Sequence, residues 1–294
     1  MSSPLRVSIV TPSYNQGRYL GETMESVLKQ EYAGLEYIVV DGGSTDESPE
    51  IIRRHVDRLA YSCSEPDAGQ YDAINKGFLR SSGEVMGWLN SDDKHTPWAL
   101  SVVAEIFETF PEVEWLTSLY PLRWDARGRA VRCSQRTGFS RAAYLDGENL
   151  PTGSWYAQGW LQQESTFWRR SLWERAGGKI DTQWKIAADF ELWMRFFQHA
   201  ELYGVDTPLA GFRRHGDQKT SHQPDLYNSE CVQILAANGG SIPGFLRRSL
   251  RAAAARSCPE SVRPLAAQLG LLHSCRLCLR KRDESGWQLV SSLH

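Results

Sequence analysis

A chain of 294 residues, 41% of them hydrophobic, has room for one large α/β domain or for one domain plus an appendage. Its formal net charge of −2 gives no whole-chain argument for nucleic acid, and no apolar run approaches the roughly 18 residues of a membrane span. Met1-Ser2-Ser3-Pro4 runs straight into an apolar stretch without the layout of a signal peptide, and the six cysteines are scattered, so a cytoplasmic location with reduced thiols is expected. Cys275 and Cys278 form a lone pair with no second pair at zinc-finger spacing.

In chain order, Leu5 to Thr11 reads as a first strand and Pro12-Ser13-Tyr14-Asn15 as the turn after it. Tyr19, Leu20, Met24, Val27 and Leu28 then recur at helical spacing. Glu36 to Asp41 is a second apolar run, ending in an acid. Gly42-Gly43 turns the chain, and Ser44-Thr45-Asp46-Glu47 fits a capping box with Ser44 as N-cap. Leu59 to Ser64 reads as a third strand, followed by the loop Glu65 to Gly69 and a helix marked by Tyr71, Ile74 and Phe78. Val85 to Leu89 is a buried strand that ends in Asn90-Ser91-Asp92-Asp93, and Leu100, Val103, Ile106 and Phe107 line the next helix.

Strands alternating with helices predict βαβ units and a mainly parallel sheet. Asp41, Asp67, Asp92 and Asp93 all follow strands of that sheet, where open α/β folds bind their ligands. Two adjacent carboxylates at a strand's end suit a divalent cation carrying a phosphate group; the plainer reading is a cap on the helix near Pro97. Four acids at one sheet edge are too many for caps alone and point to a nucleotide pocket.

The stretch from about Trp115 to Leu161 is irregular and rich in Trp, Tyr and Arg. Ser165 to Arg170 restores a strand pattern, Asp189 heads an amphipathic helix through Phe197, and Leu202 to Val205 reads as a short strand. Gly211 to Gln218 reads as a strand entering a polar loop. Past Pro224 the chain is expected to be helical and basic, with Arg247, Arg248, Arg251 and Arg256 interleaved with Phe245, Leu246 and Leu250. Such a helix either lies on an anionic membrane surface or packs as a solvated hairpin on the main domain.

Four ordered motifs carry a resemblance: Val7 to Asn15, Glu36 to Asp46, Glu65 to Gly77, and Leu89 to Asp93. Over roughly residues 5 to 220 the chain resembles family 2 of the glycosyltransferases. That resemblance implies a GT-A fold, a Rossmann-like mainly parallel sheet flanked by helices, here with a C-terminal helical appendage. Residues 1–223 would form the glycosyltransferase domain, with 1–112 the nucleotide-binding half, 113–223 the acceptor half, and 224–294 the basic helical region.

The activity implied is metal-dependent, inverting transfer of a sugar from a nucleotide diphosphate sugar to a hydroxyl of a glycan or lipid-linked acceptor, as in bacterial surface polysaccharide synthesis. Thr11, Pro12 and Tyr14 would meet base and ribose; Asp41 resembles the family's base-binding acid, and Asp67 and Gly69 lie in the loop closing over it. Asp92 and Asp93 fall on the metal-binding segment, one reaching the ribose and the other Mn²⁺ or Mg²⁺; Asn90 departs from the commoner Asp-x-Asp-Asp. Asp189 matches the general base, with Glu191 in reserve and Ala188 where a first acid usually stands. His215 is placed as a metal ligand or phosphate contact. Lys76, Arg213, Arg214 and Lys219 are further phosphate contacts. Trp155, Tyr156, Trp160, Trp168 and Trp193 flank the acceptor side, and Trp160 and Trp193 are singled out.

Two other functions fit parts of this pattern. A sugar nucleotidyltransferase would open with a Gly-rich phosphate loop, which Ser8 to Ser13 lacks. A binding module without turnover would account for Ala188 and Asn90.

Overall fold

The computed structural model describes residues 3–151, 159–216, 218, 222–281, 283 and 286–294. Lys219, Trp155 and Tyr156 lie outside the described residues.

The first half alternates as its hydrophobic pattern dictates: β1 (Val7–Ser13), α1 (Gly17–Leu28), β2 (Leu35–Asp41), α2 (Ser48–Arg54), β3 (Tyr61–Ser64), α3 (Gln70–Arg80), β4 (Val85–Trp88), β5 (Lys94–His95) and α4 (Ala99–Thr109). The second half supplies β6 (Trp115–Ser118), β7 (Leu122–Trp124), β8 (Ala130–Cys133), α5 (Arg141–Leu145), β9 (Phe167–Arg169), α6 (Arg170–Arg175), α7 (Ala188–His199), β10 (Leu202–Val205) and β11 (Ala210–Arg213). After these come α8 (Pro224–Ala237), α9 (Phe245–Ser257), α10 (Arg263–Gln268), β12 (Ser274–Arg280) and β13 (Trp287–Leu293).

Nine strands form the main sheet in the order β13-β12-β10-β6-β9-β4-β1-β2-β3. β1 pairs parallel with β2 and β4, and β10 parallel with β6 and β12; β9 and β13 run antiparallel to their neighbours. Strands β1 and β4 are buried along their whole length, as parallel strands covered on both faces must be. Helix α3 can lie close to β1 because Gly77 carries no side chain: an added Cβ would fall 2.4 Å from a Val10 methyl. A second sheet of four short strands, β5-β11-β7-β8, brings β11 against the turn that follows β4.

The C-terminal region departs from the helical expectation. Its first part is α8 to α10, but Ser274–Leu293 forms a hairpin whose first strand extends the main sheet beside β10. Cys275, Leu277 and Cys278 are buried there, and β10 would otherwise present an open edge. The capping box also fails to form. Helix α2 begins at Ser48; Ser44 instead donates its hydroxyl to Asp41, while Asp46 accepts from the amides of Ser48 and Gly17.

Candidate active site

Outside the carboxyl ends of β1 and β4 opens a cleft of about 1260 Å³. Pro12, Tyr14, Asp67, Gly69, Asn90, Asp92, Trp160, Asp189 and Arg214 all line it, so the structure brings about half of the sequence candidates together. Tyr14, 63% exposed, stands at its rim. Gly69 has φ +113°, a conformation L side chains rarely adopt, and its amide donates to Asp67 at 2.7 Å.

The paired aspartates are not equivalent. Asp92 faces the cleft, and its Oδ2 is 2.9 Å from His215 Nε2. Asp93 is fully buried behind it, accepting the backbone N–H of Arg213 at 2.8 Å. Burial, with Asp92 and Glu164 nearby, pushes the Asp93 carboxyl well above the usual range, so it favours the neutral acid. The Thr23 hydroxyl, on α1, lies 2.9 and 2.8 Å from the carbonyls of Ser91 and Asp93 and supports the turn from below. Asn90 accepts from Gln70 at 2.8 Å and donates its own amide to Asp93 at 3.4 Å.

Asp189 sits in the first turn of α7 at the opposite wall. One of its oxygens is sealed from solvent without a hydrogen-bond partner. Burial pushes its carboxyl up to about 6; the amides of Phe190 and Asp189 itself oppose this, and Glu230 adds to it. Burial also holds Tyr71, Tyr144 and Tyr227 protonated around it, each raised well above its ordinary value.

Several sequence candidates do not line the cleft and have partners elsewhere in the fold. Thr11 is buried inside β1 and shares a hydrogen bond with Tyr37. Asp41 is buried, its oxygens taken by Ser44 and Ser64. Lys76 pairs with Asp72 one turn away on α3. The Arg213 side chain is buried, pairing with Glu22 at 2.8 Å and donating to the Asp92 carbonyl, so it clamps the aspartate turn. Glu191 is occupied by Arg195. Trp193 is 1% exposed and stacks between Trp88 and Trp115, and Trp168 is buried in the same aromatic cluster. An indole packs its apolar area best away from water; Trp193 follows Asp189 by one turn on the same face of α7, so Asp189 meets the cleft at the helix start and Trp193 enters the core beyond it.

Residues 8–149 match the family model described as glycosyl transferase family 2. The uncharacterized glycosyltransferase Rv1514c of Mycobacterium tuberculosis is 32% identical over 196 residues, spanning 66% of this chain and 70% of that protein. The chain belongs to glycosyltransferase family 2. Its fold is that of the GT-A enzymes: S. aureus TarS 1-349, solved in complex with UDP-GlcNAc, superposes with a TM-score of 0.61 at 18% identity, covering 88% of this chain and 78% of that one. Glucosyl-3-phosphoglycerate synthase from Mycobacterium tuberculosis, solved with Mn²⁺, UDP and phosphoglyceric acid, superposes with a TM-score of 0.53 at 17% identity, covering 82% and 80%.

This family 2 glycosyltransferase also places in the cleft three residues that the sequence did not single out, Glu164, Arg123 and Gln218, and a fourth, Glu230, outside its lining. Glu164 is buried with one oxygen unpartnered, and burial, together with Asp92 and Asp189, pushes it up to about 8 against its own backbone amide. Arg123, from β7, lines the cleft and lies over the Trp160 ring at 5.4 Å. Gln218 accepts from the His215 amide at 3.2 Å and donates to the Arg213 carbonyl, ordering the loop that carries the histidine. Glu230, on α8, is buried and accepts the amides of Lys185, Ile186 and Ala187 at 3.0 Å each. It thereby caps α7 from another helix, because neither Ala187 nor Ala188 has a side chain that could. The signal for Glu230 in the sequence was weak: an acid in an expected helix, with nothing to mark it as buried.

Proposed function

We propose that this glycosyltransferase transfers a sugar, with inversion, from a nucleoside diphosphate sugar to an acceptor hydroxyl, and that the cleft is its active site. The observation that carries the reading is the arrangement of two groups lining one cleft: Asp92, backed by His215, and Asp189, one of whose oxygens has no hydrogen-bond partner. The carbohydrate donors and Mn²⁺ in the named structural relatives accord with it.

Asp92 offers an oxygen donor at the cleft wall, and His215, buried against it, a nitrogen donor 2.9 Å behind. Among the described residues no group of three or more His, Cys, Asp or Glu is arranged to hold a metal. Such a two-residue set fits Mn²⁺ or Mg²⁺ in the way these ions are commonly held, by few protein ligands with substrate phosphates completing the shell. When bound, the ion would neutralise charge building on the diphosphate leaving group. Tyr14 and Pro12 are positioned to cover the base, Asn90 to meet the ribose, and Arg123 and Arg214 to counter the phosphates' charge. Asp189 takes the proton of the acceptor hydroxyl as its oxygen attacks the anomeric carbon; the bond to the diphosphate breaks on the opposite face. Its elevated pKa keeps it a useful base near neutral pH while the surrounding tyrosines exclude water. Trp160 is the aromatic platform for the acceptor, a glycan or lipid-linked sugar of a bacterial surface polysaccharide or glycoconjugate.

A thermal-shift panel of UDP, GDP, dTDP and CMP, with and without Mn²⁺, tests this on the wild type and Asp92→Asn. One nucleotide at about a hundred times its dissociation constant should add ~2.7 kcal/mol, only with metal and only when Asp92 is present. No stabilisation by any nucleotide overturns the reading; metal-dependent binding without transfer from any donor leaves a binding module.

A further inference from the structure

Thirteen large hydrophobic side chains are exposed among the described residues, and seven of them fall between Ile242 and Leu269. Phe245 is 69% exposed, Leu246 72% and Leu269 66%, with Ile242, Leu250, Val262 and Leu265 beside them in sequence. A monomer rarely leaves so much apolar surface on one short segment without a use for it.

The helix at the centre of this segment is two-sided in an unusual sense. Its inner side is tied down by charge: Arg251 is buried and pairs with Asp146 and Glu148. Its outer side is apolar. At about 100° per residue, Leu246, Leu250 and Ala253 fall within roughly 60° of one another around α9. Arg256 borders that stripe on one side, next to Phe245, and Arg247 borders it on the other. Both arginines are exposed, and no carboxylate pairs with either among the described residues. From Ser241 to Pro259 there is no acidic residue at all.

We infer that α9, with Leu265 and Leu269 of α10 and its flank, is a docking face for the surface of an anionic lipid bilayer. The charge pattern selects this occupant. An apolar stripe rimmed by guanidinium groups suits an interface where side chains enter the acyl boundary and arginines meet lipid phosphates. A second copy of the chain is disfavoured, because a self-complementary contact would set these arginines against their own copies. No described helix is long and apolar enough to cross a membrane, so contact would be through this face. The inference stands independently of the chemistry in the cleft.

Co-sedimentation of the full chain with phosphatidylcholine vesicles, with and without phosphatidylglycerol, tests it. Binding should be at least about tenfold tighter to the anionic vesicles and should weaken as salt rises. The variant Arg247→Glu/Arg256→Glu should lose that preference. The variant Leu246→Ser/Leu250→Ser should bind both vesicle types about tenfold more weakly or worse, with an unchanged melting temperature, since these side chains are exposed. Equal binding to neutral and anionic vesicles, or wild-type binding by both variants, overturns the proposal. So does a dimer that the serine variant converts to monomer while vesicle binding is unchanged, which would make the face a contact between copies.

Discussion

Asp92 Oδ2 and His215 Nε2 stand 2.9 Å apart although 123 residues separate them. The neighbouring Asp93 has its side chain turned the other way, onto the backbone of Arg213. Two adjacent carboxylates therefore have different tasks, and substitution separates them. Asp92→Asn or His215→Ala should abolish metal-dependent stabilisation by nucleotide and lower the transfer rate about a hundredfold or more, the loss of ~3 kcal/mol of charge stabilisation. Asp93→Asn keeps an acceptor for the Arg213 amide and replaces a carboxyl that burial pushes well above the usual range. It should change stability by no more than about 1 kcal/mol and retain most activity. Thermal shifts and initial rates on the three variants decide whether the pair divides in this way.

The Asp189 carboxyl, raised to about 6 from 3.8, sets a pH profile. The base must be ionised, so kcat/KM should rise with pH through about 6 and level off above it. Asp189→Asn should cost about 10²–10⁴ in rate while leaving nucleotide affinity unchanged.

The same group should weaken the fold at neutral pH. Its folded pKa lies above the unfolded value, so the unfolded chain loses this proton first, and stability falls as pH rises from about 4 to about 6. Above that window the cost is constant, on the order of 1–3 kcal/mol. Asp189→Asn should therefore melt higher than wild type at pH 7, and the gain should vanish near pH 4. A melting curve at each pH checks the sign.

Glu230 helps to raise the Asp189 carboxyl from outside the lining of the cleft. Glu230→Gln removes the charge that helps raise Asp189 and turns one acceptor oxygen into a donor facing a backbone N–H. Its acid limb should move below about 6, kcat should fall while KM for the donor holds, and stability should drop by about 1–3 kcal/mol. Glu164, Tyr71, Tyr144, Tyr227 and Cys231 also face Asp189, so the shift is read on the Glu230 variant against wild type rather than as an absolute value. A purely structural cap would lower stability and leave the pH profile where it was.

Two tryptophans that look alike in the sequence should behave oppositely. Trp193→Ala empties a stacked core position and should cost about 3–5 kcal/mol in urea denaturation. Trp160→Ala should leave the unfolding midpoint almost unchanged and raise KM for the acceptor.

The alternating strands and helices, the acid-tipped loops and the family motifs were legible because they are local: periodicity and turn chemistry act over a few residues. Asp92, Asn90, Asp67 and Asp189 were found in this way, and all line the cleft. Which of two adjacent aspartates faces the cleft was not legible, because the choice rests on the Arg213 amide, which reaches Asp93 only after β11 joins the second sheet. Ser44 carried a sound capping signal, but Asp41 and Asn15, folded against it, took its hydroxyl. The final strands read as helix in the sequence because their pairing, β12 with β13 and with the open edge of β10, leaves no local signal. Local sequence determined the elements and the residues available for chemistry. The tertiary structure decided their use, because burial and hydrogen-bond partners come from parts of the chain far apart in sequence.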